Sequence, residues 1–236
     1  MQVSLDVHRY SPLEESPRAD RFVLDLPPDA TLLQALIRAR EEDPTLAFRG
    51  TCRSGICGGC ALNVDGEPRL ACQVLVSEVT HDARPVELAP LPHFRVLRDL
   101  VVDIDPLLEI LRSAQAWLLP RPDHDGRMDP KAARRAEAAA PCILCWICEA
   151  AIRRPGDDAP YTIGLVKAYR FATDPRDALG LARLETVGDL GLIPEDFVER
   201  LRAVCPKQIR LDVETFAGVL RVVGERQTSP HEDVSY

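Results

Sequence analysis

Eight cysteines carry most of the chemistry that this 236-residue sequence can be expected to perform, and they fall into two sets. Cys52, Cys57 and Cys60 stand in the run C-x4-C-x2-C, and Cys72 follows on the far side of a turn at Asp65-Gly66. This is the plant-type spacing for a [2Fe–2S] cluster. Two irons take two thiolates each, so a tight loop must bring three cysteines together while the fourth arrives from another leg of the chain. Gly55, Gly58 and Gly59 are expected to give the loop its positive φ and close approach, with bare N–H groups turned toward the sulfurs. Zinc is the rival metal, but it usually takes two C-x2-C knuckles and this region has one.

Cys142, Cys145 and Cys148 begin the bacterial-ferredoxin run C-x2-C-x2-C-x3-C-P, but its fourth position is Ile152 and Arg153 follows. In two-cluster ferredoxins that fourth cysteine ligates the other cluster. Its loss therefore need not cost this set a ligand. The true fourth ligand should be a distant cysteine followed by proline, and Cys205-Pro206 fits. Cys142, Cys145, Cys148 and Cys205 thus predict a [4Fe–4S] site, and the two sets use every cysteine. The bland alternative is an apolar helix through Cys142 to Cys148 with buried thiols.

The rest of the sequence narrows the function by exclusion. The net charge is −8 with no dense basic run, which argues against nucleic-acid and anionic-membrane surfaces. The start, MQVSLDVHRY, alternates apolar and polar residues and is not a signal peptide, so the cysteines argue for metal rather than disulfides. The most apolar window, Ala138 to Ile152, is shorter than the ~20 residues that span a bilayer. A soluble, cytoplasmic chain is expected, reaching the inner face of the cell membrane only through partners. His8, His81, His93, His124 and His231 are scattered, and Arg53 inside the first cysteine loop reads equally as a partner-steering or a solvated residue. No nucleophile–base pair, phosphate loop or nucleotide fingerprint occurs, so no catalytic residues are expected.

The elements that must position the cysteines change period near residue 104. Before it, Val3-Leu5-Val7 and Phe22 to Leu26 read as strands. Thr31 caps a helix with an apolar face of Leu32, Leu33, Ala35, Leu36 and Ala39, ended by Asp43-Pro44. Leu62 and Val64 lead into the Asp65-Gly66 turn, the return leg reaches Leu70 and Cys72, and a last strand lies around Val86 and Leu88. Glu41-Glu42-Asp43 reads as a solvated helix end. After it, Asp105-Pro106 opens a helix whose face runs from Leu107 to Leu118 and takes in Trp117 as a core residue. A polar loop spans 120–130, and helices are expected at 130–140, 161–172, 176–186, 194–204 and 212–223, the last capped by Asp212. The expected class is α+β, with residues 1–104 as one domain and 105–236 as an all-α second domain.

The chain resembles the iron–sulfur subunit of succinate dehydrogenase and fumarate reductase, the complex II family. "LPPDATLLQALIRAREEDPTLAFRGTCRSGICGGCALNVDGEPRLAC" (26–72) is similar to its [2Fe–2S] segment and "ELAPLPHFRVLRDLVVDID" (87–105) to its interdomain stretch. "AYRFATDPRD" (168–177) and "VCPKQI" (204–209) are similar to its helical domain and last cluster motif. The resemblance implies a β-grasp [2Fe–2S] ferredoxin domain followed by an α-helical ferredoxin domain. It also implies a flavoprotein partner with covalent FAD, a membrane-anchor or other electron-acceptor subunit, and no nucleic acid. The family's third cluster, [3Fe–4S], would take ligands at Ile152, Glu195 and Leu201, none of them cysteine, so no [3Fe–4S] cluster is expected. Where the family places quinone-facing tryptophans, this chain reads Arg153-Arg154-Pro155-Gly156-Asp157. The implied role is electron relay between the FAD subunit and a further acceptor or donor. Two alternatives stay open: the same wire in a soluble flavin oxidoreductase acting on another substrate, and a mainly structural docking subunit.

Overall fold

The computed structural model describes residues 1–14, 16–80, 84–152 and 161–228. Its contacts divide into two units, one made of residues 1–104 with a later segment that starts at Ile143, the other taking up at Asp105.

In the first unit, β1 (Gln2–Arg9) is paired antiparallel with β2 (Arg18–Asp25). Val3, Leu5 and Val7 are fully buried, as expected when side chains alternate across a sheet with one covered face. Helix α1 (Leu32–Glu42) starts from a capping box in which Thr31 accepts from the Gln34 N–H and the Gln34 side chain accepts from the Thr31 N–H. Its buried residues are Leu32, Leu33, Ala35, Leu36 and Ala39, the face the sequence predicts. β3 (Ala61–Val64) turns at Asp65-Gly66, both at positive φ, into β4 (Glu67–Leu70). A short helix, α2 (Val76–Val79), precedes β5 (Val86–Ala89).

The five strands lie in the order β2-β1-β5-β3-β4. β1 and β5 are parallel and the remaining pairs antiparallel, so the sheet is mixed. A small ribbon, β6 (Val96–Arg98) with β7 (Val101–Val102), was not expected. It is too short for a period to register.

A clasp at Arg9 ties this unit together. The guanidinium, 2% exposed, donates to Asp20 (2.5 Å), Asp43 (2.6 Å), Thr45 (2.7 Å) and Asp99 (3.2 Å). Asp43 is therefore not simply a solvated helix end. Bonds from Thr45 and then Arg9 hold its carboxyl at about 2, well below its ordinary value. Buried guanidinium is tolerated only when paired and hydrogen-bonded, and this one is met by three carboxylates.

In the second unit the regular elements among the described residues are helices, with one isolated bridge between Pro120 and Asp177. α3 (Asp105–Ser113) is followed by α4 (Pro130–Ala139), capped by Asp129, which accepts from Lys131 and Ala132. The helix Ile147–Ile152, α5 in chain order, belongs to the first unit's late segment. α6 (Thr162–Ala172), α7 (Phe197–Val204) and α8 (Val213–Thr228) complete the helical set. Tyr169, Phe216 and Phe197 form a ring stack with centroids 5.3 and 5.5 Å apart.

Three expectations need correction here. The helix predicted over 176–186 is a 3-10 helix at Gly180–Thr186. Helix α3 stops early, because Gln115 adopts a φ of 43° and breaks the ladder. Trp117 consequently lies beyond the helix and is 46% exposed rather than in a core. The motif ATDPRD makes a second clasp: Asp177 pairs with Arg183 at 2.5 Å with both side chains fully buried. Arg183 also donates to the carbonyls of Ala114 and Gln115.

Candidate metal centres

Cys52, Cys57 and Cys60 sit on a loop between α1 and β3, and Cys72 lies just past the end of β4. Short backbone bonds fix that fourth position. Ala71 N–H donates to the Cys60 carbonyl (3.1 Å), and Leu33 at the start of α1 donates to the Ala71 carbonyl (2.9 Å). The hairpin thus brings the last cysteine to the loop, and the capped helix holds it there.

Within the loop the backbone turns its N–H groups onto sulfur. Cys52 Sγ accepts from Ser54 (3.5 Å), Ile56 (3.4 Å) and Cys57 (3.3 Å), Cys72 Sγ from Gly55 (3.2 Å), and Cys57 Sγ from Gly59 (3.5 Å). Such donors stabilise negative charge on sulfur and tune an iron–sulfur site. Positive φ occurs at Arg53 (59°), Gly55 (67°) and Gly58 (71°) but not at Gly59. The expectation for that third glycine is corrected, because Arg53 takes the left-handed position instead.

The four thiols fall into two pairs. Cys52 is hydrogen-bonded to the Cys57 side chain, and Cys60 to that of Cys72. The first pair is open, with Cys57 exposed and Cys52 half-buried, whereas Cys60 and Cys72 are buried. N–H groups of Ser54 and Ile56 pull the Cys52 thiol down to about 6, and burial pushes Cys60 up to about 12. Two adjacent pairs ringed by N–H donors suit a centre that takes two thiolates on each of two irons, and the residues present fit a [2Fe–2S] group. Among the described residues, no three His, Cys, Asp or Glu side chains gather as they would round one metal ion.

The second set is divided. Cys145 and Cys148 are buried in the first unit, whereas Cys142 and Cys205 are half-buried in the second. Cys142 to Trp146 is not helical. Leu144 and Trp146, on either side of Cys145, have φ of 55° and 65°. An L-residue in that region costs about 1–2 kcal/mol, so a plain apolar helix, which would avoid the cost, is not what this stretch forms. Cys148 lies on α5. Cys205 is the C-cap of α7, donating to the Leu201 carbonyl (3.0 Å). Lys167 on α6 donates to the Cys142 carbonyl at 2.9 Å, a contact no motif announced.

Of the three positions expected to lack the third cluster's ligands, Ile152 is 8% exposed, Leu201 is 1% exposed and Glu195 is exposed. The run from Arg153 to Asp157 lies outside the described residues.

Comparison with known proteins now decides the family. Residues 4–109 match the family described as a 2Fe-2S iron-sulfur cluster binding domain. The succinate dehydrogenase iron-sulfur subunit of Paracoccus denitrificans is 35% identical over 193 residues, covering 78% of this chain and 73% of that protein. The chain belongs to the succinate dehydrogenase iron–sulfur subunit family. The mitochondrial succinate dehydrogenase [ubiquinone] iron-sulfur subunit 3 of Arabidopsis thaliana is 31% identical over 218 residues, covering 85% of this chain and 69% of that protein. A chain of the Mycobacterium smegmatis Sdh1 complex in the apo form shares the fold, with a TM-score of 0.83, 22% identity and 98% coverage of both chains. Membership makes this chain an electron-transfer, iron–sulfur component of a complex II-type oxidoreductase.

Proposed function

We propose that this subunit relays electrons between an FAD flavoprotein subunit and a further acceptor or donor through two centres. Cys52, Cys57, Cys60 and Cys72 hold a [2Fe–2S] cluster. Cys142, Cys145, Cys148 and Cys205 hold a [4Fe–4S] cluster, and the second unit is an all-α ferredoxin-like domain. The clusters supply one-electron redox chemistry that no side chain of the protein can perform. The chain's own part is to fix ligand positions, surround sulfur with N–H donors and limit water. The observation that carries the reading is the ring of N–H groups on the sulfurs of the first set.

The third family cluster is absent in this proposal. Isoleucine and leucine offer no ligand atom, and Ile152 and Leu201 are buried as packing residues. The acceptor beyond the second set is then a heme, another iron–sulfur protein, or a quinone bound elsewhere than in the family's pocket. No helix among the described residues is long and apolar enough to cross a membrane. Membrane association through partner subunits is part of this proposal, as the family membership suggests.

The test is the iron and the paramagnetic signals of the complex purified without oxygen. The two sets predict about six irons per chain, with a [2Fe–2S] and a [4Fe–4S] signal on reduction. An oxidised [3Fe–4S] signal that persists under strict anaerobiosis would overturn the two-centre assignment.

A further inference from the structure

Gly58 occupies an unusual place in the first cysteine loop. A Cβ built on it would lie 2.8 Å from Cys145 Cα, 2.9 Å from Cys145 Cβ and 2.9 Å from the Ile143 carbonyl oxygen. Carbon atoms pack best at about 3.5–4.0 Å, and atoms of the main chain cannot swing aside as a side-chain tip can. The loop of the first set therefore meets the main chain of the second set at a residue with no side chain.

Backbone conformation alone does not explain the glycine. Arg53, in the same loop, has φ 59° and carries a long side chain. Gly55, at φ 67°, has the end of the Gln73 side chain as its nearest neighbour, with its Cδ 2.8 Å from a built Cβ. Of the loop's glycines, Gly58 is the one whose nearest neighbours include main-chain atoms. Both sides of the contact are fixed. The Gly58 carbonyl accepts from Ala61 N–H (3.3 Å) where β3 begins, and Cys145 is 8% exposed between two residues held in left-handed conformations. Helix α5, which follows, packs against β4 of the same unit.

We propose that Gly58 is a positioning residue for electron transfer between the two cysteine sets, its missing side chain setting their closest approach. The inference rests on the two-centre reading above. An electron passing in either direction between the clusters that the two sets would hold would oxidise one cluster and reduce the other, with no bond broken and no proton moved. Tunnelling falls steeply with distance, so the rate is governed by how closely these two loops meet. A methyl group at residue 58 pushes them apart.

The experiment compares Gly58→Ala with Gly66→Ala, in the β3–β4 turn outside the cysteine loop, in the intact, anaerobically reduced complex. Both variants place alanine at positive φ, but only the first meets a main chain. The readout is microwave-power saturation of the reduced [2Fe–2S] signal, whose relaxation is hastened by a nearby reduced [4Fe–4S] centre. Gly58→Ala should lower the half-saturation power severalfold at unchanged iron content, and Gly66→Ala should leave it near that of the unmodified protein. Equal saturation in all three proteins, with both centres present, would show that Gly58 serves only its own loop.

If Gly58→Ala fails to hold the first cluster, the line shape of the second centre decides. It should be disturbed in Gly58→Ala and normal in Cys57→Ser, which removes a ligand of the first set and leaves Gly58 in place. A normal second signal in both overturns the inference. Absence of any second signal in the unmodified protein defeats the two-centre reading itself and is told apart by that control.

Discussion

The two cysteine sets proposed as ligands are built in opposite ways. The first is local: three cysteines within nine residues of chain, a fourth delivered by a hairpin, all in one unit, with five backbone N–H groups on three sulfurs. The second is distributed. Two of its cysteines belong to one unit and two to the other, and its stretch around Cys145 is held in conformations that L-residues avoid. A local set is shaped by its own loop, whereas a distributed set depends on the packing of everything between its members.

The largest expected effect separates them directly. Cys205→Ala should abolish the second cluster's signal and also lower the melting temperature of the helical unit, because metal binding to dispersed ligands is coupled to folding. Cys57→Ser should remove or alter the first cluster's signal alone. Paramagnetic spectra and thermal melts followed by circular dichroism read both. Equal loss of both signals in both variants would erase the distinction.

Next come the clasps that hold the two frameworks. Asp177→Ala leaves Arg183 buried without its carboxylate, and breaking such a pair costs about 3–5 kcal/mol. The loss should appear as a lower denaturant midpoint in the helical unit, with the [2Fe–2S] signal unchanged. Asp43→Ala should cost less, since Asp20 and Asp99 still face Arg9. A reversed order would mean that the first unit depends more on its clasp than the second.

Acid should test the Arg9 clasp and, in the second unit, the ion pairs of Asp174 with Arg170 and Arg176. Asp43 is held at about 2 by Thr45 and Arg9, and Arg176 with Arg170 holds Asp174 far below its ordinary value despite burial. Both folded values are depressed, so the stability they lend is fully present above the unfolded aspartate value near 4. It is lost as pH falls through the folded values. Asp43→Asn should therefore flatten the stability curve of the first unit between about pH 4 and 2, and Asp174→Asn should do so for the second unit over a range reaching lower. Stability measured against pH in each variant checks the windows.

The smallest effect sharpens the comparison from the other side. Thr31→Ala removes one side of the α1 capping box and should cost about 1 kcal/mol. Although α1 supports the Cys72 turn, the [2Fe–2S] signal should persist, because the loop's own N–H groups remain. Loss of that signal in a folded variant would show that the first set is less self-sufficient than its geometry indicates.

Much of this protein was written locally and could be read without coordinates. Ligand type and spacing are properties of a short stretch of chain, so the [2Fe–2S] loop and its hairpin were legible. The period of Val3-Leu5-Val7 and the face Leu32 to Ala39 likewise follow from side-chain geometry along a strand or a helix, and both lie where the period placed them. Tertiary structure alone decided the rest. Every residue but proline carries a backbone N–H, so nothing in the letters singles out Ser54, Ile56 and Cys57 as donors to one sulfur. Asp43 looked like a solvated helix end until Arg9 came to it, and Trp117 looked like core until Gln115 turned the chain away. The meeting of Gly58 with Cys145 joins residues far apart in the chain. Local pattern fixes which groups exist and how they repeat; only long-range packing fixes which of them touch.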